Sequence, residues 1–228
     1  MQAMIITQNQ ENADFFGMML RKEGLTVTAS RQVKRAIPAL VERPVDLILY
    51  STSVDDTLLA TVPEIRKSSS AQMIMVVDWL TEDLHCALLD AGADWVLTRP
   101  LSPRVFPRYL RRLLRRTSEI PVSVLSEIRC RGVILNPAAR TVRIGEGEAQ
   151  RLTQLEFRLL YILMTTPGYV FTTDELVERV WGYDGEGNRG LVRGLVRRLR
   201  RKIEPNSDTP QYILNIPSHG YQFADGDG

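Results

Sequence analysis

Five times in its first 116 residues, the chain follows a short apolar segment with an amphipathic stretch of helical period. The apolar segments are 3–7 (AMIIT), 25–29 (LTVTA), 46–50 (DLILY), 73–77 (MIMVV) and 94–98 (DWVLT). The helical patterns lie near 11–23, 31–42, 56–67, 82–91 and 103–116. Strands that alternate with helices are the pattern of a parallel sheet covered on both faces, so this region is predicted to be a five-stranded, doubly wound α/β domain. In such sheets chemistry gathers beyond the carboxyl ends of the strands. That rule places Thr7-Gln8, Ser51, Val77-Asp78 and Thr98-Arg99 around one crevice.

The alternation stops at about residue 117. "TSEIPVSVLS" carries a proline and three serines and reads as a linker. The expected division is therefore 1–117, a linker at 118–126, and a second domain over 127–228. Strands near 128–135, 141–144 and 150–152 open this second domain. Thr153-Gln-Leu-Glu is then a capping box ahead of Leu155, Leu159, Leu160 and Leu163. A second box, Thr172 to Glu175, starts a helix that ends at Trp181-Gly182. A third helix runs from about Arg189 to Ile203 and stops at Glu204-Pro205. "YILNIPSHGYQF" at 212–223 is a strand, a tight turn and a strand. Helices closed by a β-hairpin predict a winged helix-turn-helix.

Net charge is only +2 and excludes nothing, but the charge is unevenly placed. Residues 189–202 (RGLVRGLVRRLRRK) hold seven basic residues and no acid, and 99–116 hold seven arginines and no acid. Local blocks of this kind set the field that an anionic partner meets. On the third helix Val192, Val196, Leu199 and Ile203 form one apolar stripe. Arg189, Arg193, Arg197 and Arg200 or Arg201 form a parallel basic one. Such a helix suits the DNA major groove, where arginine donates two hydrogen bonds to a guanine edge. The other arginines and Lys202 are expected to neutralise phosphates. The plain alternative is a solvated charged face. Gly190 and Gly194 each cost about 1 kcal/mol inside a helix, which close backbone approach to DNA or to a neighbouring helix would account for.

No apolar run approaches the roughly 18 residues of a membrane span, and Met1 is followed by no secretory pattern. Cys86 and Cys130 are far apart and without metal-type neighbours, consistent with a reducing cytoplasm and packing roles. No glycine-rich phosphate loop, catalytic triad or metal-ligand cluster appears, and His85 and His219 stand alone, so an enzyme, a metal site or a cofactor is not expected.

The stretch "LTQLEFRLLYILMTTPGYVFTTDELVERVWGYDGEG…RRLRRKIEP…YILNIPSHGYQF" closely resembles the effector domain of OmpR/PhoB-type response regulators, over about 100 residues. The resemblance implies binding to double-stranded DNA, with RNA polymerase as a further protein partner. It puts Arg198 at a base-reading position and Arg197, Arg200 and Trp181 near the phosphate backbone. Thr173, Asn215 and His219 join Arg189, Arg193, Arg201 and Lys202 in the expected DNA-contacting set. Pro217 replaces the wing arginine of the family and leaves His219 as the nearest substitute.

The first domain resembles the flavodoxin/CheY-like receiver of the same family. The match is carried by "LLDAGADWVLTRPLSPRVFPRYLRRLLRR" and "RPVDLILYS". Receiver chemistry needs an acidic pair and an acceptor aspartate around Mg²⁺, a hydroxyl after the fourth strand, and a lysine after the fifth. Here those positions are Thr7-Gln8, Ser51, Val77 and Arg99, and Val96 stands at the aromatic switch position. A hard cation needs carboxylate oxygens, so this resemblance implies a receiver that has lost phosphorylation. Asp55 and Asp56 read as loop or cap residues. Asp78 is the acid placed to pair with Arg99, and Arg99-Pro100 is expected to be cis. Activated receivers of the family dimerise through helix 4, strand 5 and helix 5. By resemblance the pairs here are His85 with Val105, Asp94 with Arg111, and Trp95 with Tyr109. The reading is an atypical, phosphorylation-independent, dimeric DNA-binding regulator of the cytoplasm. A receiver that senses a small molecule, or one phosphorylated at a non-standard site, stays open beside it.

Overall fold

β1 (Gln2–Ile6), β3 (Leu47–Ser51) and β4 (Gln72–Val77) are buried almost end to end, because these strands are apolar on both faces apart from Gln2, Ser51 and Gln72 at their ends. They form the middle of a parallel sheet in the order β2-β1-β3-β4-β5, with β2 (Thr26–Ser30) and β5 (Trp95–Thr98) at its more exposed edges. In this computed structural model residues 1–108, 110, 111, 114, 126–182 and 189–225 are described. Contacts divide the chain into two compact units, Met1–Arg111 and Arg112–Gly228. Of the expected linker 118–126, only Ser126 is among the described residues.

The crossovers of the first unit are α1 (Gln10–Lys22), α2 (Val33–Glu42), α3 (Leu58–Ser68) and α4 (Glu82–Ala91). Residues 106–108, 110, 111 and 114 are helical after β5 (α5). Asn9 caps α1 through Asn12 N (2.9 Å) and Thr81 caps α4 through Leu84 N. α4 ends at Gly92, whose φ of 135° is open only to glycine at low cost. Every expected strand of this half and its first four helices are present, with ends displaced by at most two residues; the fifth helix begins at 106, and its expected end at 116 lies outside the described residues.

The second unit opens with an antiparallel sheet, β6 (Ile128–Cys130), β7 (Val133–Asn136), β8 (Thr141–Ile144) and β9 (Gln150–Arg151). The single strand expected over 128–135 is two strands of a hairpin. Arg131 and Gly132 adopt φ of 50° and 77°, the left-handed pair that reverses a chain in two residues. α6 (Gln154–Thr165), α7 (Thr173–Trp181) and α8 (Arg189–Ile203) follow, and both capping boxes are formed. A short strand absent from the sequence reading, β10 (Phe171–Thr172), joins the hairpin β11 (Ile213–Ile216) and β12 (Gly220–Phe223) in the order β10-β12-β11. The core is Leu155, Leu159, Leu160 and Leu163 of α6, Leu176, Val177 and Val180 of α7, and the apolar stripe of α8. Burying each such side chain stabilises by roughly 1.5–3 kcal/mol. Among the described residues no helix is long and apolar enough to cross a membrane.

Candidate nucleic-acid interface

Leu191, Val192, Leu195, Val196, Leu199 and Ile203 are all buried, which leaves α8 one outward arc. Arg193, Arg197 and Arg201 lie on that arc and are exposed. Their spacing of four residues keeps them on one line that rises about 12 Å over eight residues. The side chain of Arg189 lies outside the described residues. Gly194 is buried, on the packed side of the helix.

The remaining basic residues of the run are turned to other tasks. Arg198, the expected base reader, is 6% exposed and faces the Glu156 carboxylate at 3.8 Å. One residue past Arg197 is a rotation of about 100°, which carries the side chain off the outward arc and against α6. Arg200 donates from Nε and Nη2 to the Ile213 carbonyl at 3.1 and 2.6 Å, so it holds β11 and not a phosphate. Lys202 Nζ reaches Glu156 Oε2 at 2.7 Å and the Arg151 carbonyl at 2.9 Å. Trp181 is 2% exposed inside the helical core, which takes it from the expected backbone contact. Arg198, Arg200, Lys202 and Trp181, all of the expected DNA-contacting set, are thus each engaged within their own domain in this structure.

Glu156 was not singled out in the sequence beyond its place in the capping box. Its carboxylate accepts from Thr153 N at 2.8 Å while meeting both cations. Burial by itself would raise its pKa, but Lys202, Arg198 and the Thr153 amide hold it below the ordinary carboxylate value.

A cleft of about 390 Å³ lies between the start of α7, α8 and the hairpin. It brings together Thr173, Arg193, Asn215 and His219, four residues of the expected DNA set that are far apart in sequence. Ser218 and Tyr221 line it too and were missed. Tyr221 is half-buried, and burial pushes its hydroxyl pKa up against the opposing pull of Arg200 and Arg193. The wing turn sets the edge of the cleft: Ser218 has φ 63°, and His219 Nδ1 lies 2.8 Å from the Pro217 carbonyl. That contact leaves Nε2 as the outer nitrogen of the ring. Gly220 is required, since its φ is 150° and a Cβ there would collide with the Phe171 carbonyl.

In the first unit the crevice is built without carboxylates at its centre. Ser51 is 1% exposed and its Oγ has no hydrogen-bond partner; Thr7 and Val77 are also buried, and Gln8 is exposed. Arg99 Nη2 donates to the Thr52 carbonyl at 3.1 Å, and Arg99-Pro100 is cis. The expected pairing of Asp78 with Arg99 is not formed. Asp78 Oδ1 instead accepts from Val54 N at 3.0 Å, which holds its carboxyl below the usual range. Asp55 caps the turn before α3, accepting from Thr57 N and Oγ1 at 2.9 and 2.7 Å.

The two charges expected to pair across a dimer interface each have a partner within the chain. Asp94 is 1% exposed and bonded to Arg66 Nη2 and Met73 N, each at 2.9 Å. Arg111 forms a two-pronged pair with Glu23 at 2.6 and 2.7 Å. Each charge is satisfied in its own protomer. Val105 is 44% exposed, and His85 and Trp95 are half-buried. Burial lowers the His85 pKa. Tyr109 lies outside the described residues.

Residues 147–223 match the family described as transcriptional regulatory protein, C terminal. The chain is 30% identical over 224 residues to the DNA-binding response regulator MtrA of Mycolicibacterium smegmatis, covering 96% of this chain and 95% of that one. It is likewise 30% identical over 221 residues to MtrA of Mycobacterium leprae, covering 96% of both chains. A solved mutant of RitR shares the fold with a TM-score of 0.76 at 20% identity, over 99% of each chain.

Proposed function

The chain belongs to the DNA-binding response regulators of the OmpR/PhoB type, and from that premise we propose that it reads specific DNA without aspartyl phosphorylation, as a receiver-joined dimer. One observation carries the first part. The place of the phosphoryl acceptor holds a buried serine, and the positions that would hold Mg²⁺ beside it are Thr7 and Gln8. A serine hydroxyl cannot form the acyl phosphate of this family, and without carboxylates a hard cation has no ligands at those positions. The nearby acids Asp55 and Asp78 already accept backbone N–H groups. The test is intact-mass measurement after exposure to acetyl phosphate or phosphoramidate. No added phosphoryl mass and unchanged DNA binding are expected; a stable adduct that tightens binding overturns the proposal.

The DNA surface is the outward line Arg193, Arg197 and Arg201, with the wing cleft beside it. Arg193 belongs to both, so the line and the cleft form one continuous surface. In this reading the line enters the major groove, and a phosphate beside it meets Thr173, Arg193 and His219.

For the dimer, the apolar part of the expected face is what supports the reading. Val105 is 44% exposed and Trp95 of β5 and His85 of α4 are half-buried, and contacts of such side chains across an interface form without a phosphoryl signal. Sedimentation is expected to give a dimer at micromolar concentration, and a monomer there refutes it.

A further inference from the structure

β11 is the outer strand of its sheet, since β12 lies between it and β10. An outer strand presents backbone N–H and C=O groups that need partners. At the root of the wing these partners are side chains from the end of the recognition helix. The Glu204 carboxylate, one residue past α8, accepts from Gln211 N at 2.7 Å, Tyr212 N at 3.0 and 3.1 Å, and Ile213 N at 2.8 Å. Arg200, one turn earlier, donates twice to the Ile213 carbonyl. Acceptor and donor together take the place of a neighbouring strand at Ile213, and the helix end clasps the wing at its base.

We infer that Glu204 and Arg200 are positioning residues for DNA reading, which fix the wing tip relative to the outward arginines of α8. The inference rests on the reading of α8 and the hairpin as the DNA-contacting elements. The leverage follows from strand geometry. The tip at Ser218 is five residues beyond Ile213, a reach of about 16 Å, so a swing of about 10° at the root moves the tip by about 3 Å. That is a whole hydrogen-bond length. The hairpin is also held by the pairing of β10 with β12 at Phe171–Tyr221 and Thr172–Gly220, by Gly168 N on the Phe223 carbonyl at 2.8 Å, and by the buried side chains of Ile213 and Phe223. These holds lie on the core side and along β12, so the clasp is what ties the outer strand β11 to the end of α8 and sets the register of wing and helix. Neither residue touches DNA in this role. Glu204 is an anion that would repel a phosphate, and the Arg200 guanidinium is turned to a carbonyl.

The test uses the full chain. Wild-type protein first enriches its preferred sequence from a random duplex library. Glu204→Gln and Arg200→Lys are then measured on that sequence, on versions altered base by base, and on unrelated DNA. Arg200→Lys keeps the charge and loses the fork, so it carries the same expectation should Glu204→Gln fold poorly. Both variants are expected to lose about tenfold on the preferred sequence and less than about twofold on unrelated DNA. The lost discrimination should be confined to the base pairs flanking those read by α8, and the salt dependence should stay unchanged. Amide exchange at Gln211, Tyr212 and Ile213 should quicken while that of the α8 core holds. A merely structural role lowers binding to all DNA alike and overturns the inference, as does a fall in salt dependence for Arg200→Lys. If wild type enriches no sequence while Arg193→Ala and Arg197→Ala bind as it does, the DNA reading itself fails. Enrichment by wild type with unchanged variants overturns the clasp alone.

Discussion

Replacing Glu156 by glutamine is expected to be among the costliest single-atom changes in the second unit. The carboxylate is buried, bonded to Thr153 N at 2.8 Å and Lys202 Nζ at 2.7 Å, and faced by Arg198 Nε at 3.8 Å. Glutamine keeps a carbonyl for the cap but leaves two cations facing each other without the anion between them. Removing one member of a buried pair costs about 3–5 kcal/mol. Part is regained because Lys202 is partly exposed and its head can turn to water, so about 3 kcal/mol is expected. Lys202→Met should cost about 1–2 kcal/mol, since Arg198 and the Thr153 amide still face Glu156. The double variant should be more stable than the sum of the single losses by 1 kcal/mol or more, on the order of couplings measured within one network. Calorimetry of full-length proteins reads this as a fall of the second unit's transition by about 12–24 °C for Glu156→Gln, at 4–8 °C per kcal/mol. Acid supplies a second arm. The folded carboxyl lies below its ordinary value of 4.5, so its stabilisation is present above 4.5 and is lost as pH falls through the lowered folded value. The wild type should weaken over that acid window and Glu156→Gln should weaken less. A Glu156→Gln loss under about 1 kcal/mol, or one equal to that of Lys202→Met, refutes the hub.

Alanine at Arg193, Arg197 or Arg201 should weaken DNA binding, and each phosphate contact removed should lower the salt slope by about 0.9. A slope unchanged in all three variants would assign the DNA surface elsewhere. Gly220→Ala should disrupt the wing, with loss of at least about 2 kcal/mol by thermal denaturation, because the new Cβ meets the Phe171 carbonyl at φ 150°. Ser51→Asp should not gain a phosphoryl group from small donors, since Thr7 and Gln8 offer no carboxylate, and it should destabilise the first unit by burying a charge. Asp94→Asn should cost about 3 kcal/mol in the first unit, because it removes the anion facing Arg66 and leaves that buried charge only the carbonyls of Ser69, Ala71 and Gly92, without changing the sedimentation of the protein. A dimer lost selectively in that variant would return Asp94 to the interface.

Periodicity along the chain was enough for most of the elements, though not for β10 or for the turn that splits 128–135 into two strands. The apolar runs of β1, β3 and β4 read as strands because nothing in them tolerates water, and the Thr–Glu boxes at 153 and 172 announced their helices by local hydrogen bonding alone. The stripe at Val192, Val196, Leu199 and Ile203 likewise fixed which side of α8 packs, since helix geometry is the same everywhere. That Thr7, Gln8 and Ser51 stand where the resemblance expects carboxylates was also legible, because a residue's identity is read directly from the chain. What a charge does is different in kind. Arg193 and Arg198 are identical residues five apart, yet one faces outward and the other faces Glu156, forty-two positions earlier. Asp94, placed by resemblance at a dimer interface, is bonded within the chain to Arg66 of α3. Ionic partners are chosen by distance in space, and no local pattern encodes that distance. The sequence by itself determined most of the elements, the division into two domains and which residues, Thr7, Gln8 and Ser51, stand at the ends of β1 and β3. The tertiary structure alone decided which arginines of α8 face outward, because only packing brings a buried acid to Arg198 and leaves Arg193 exposed.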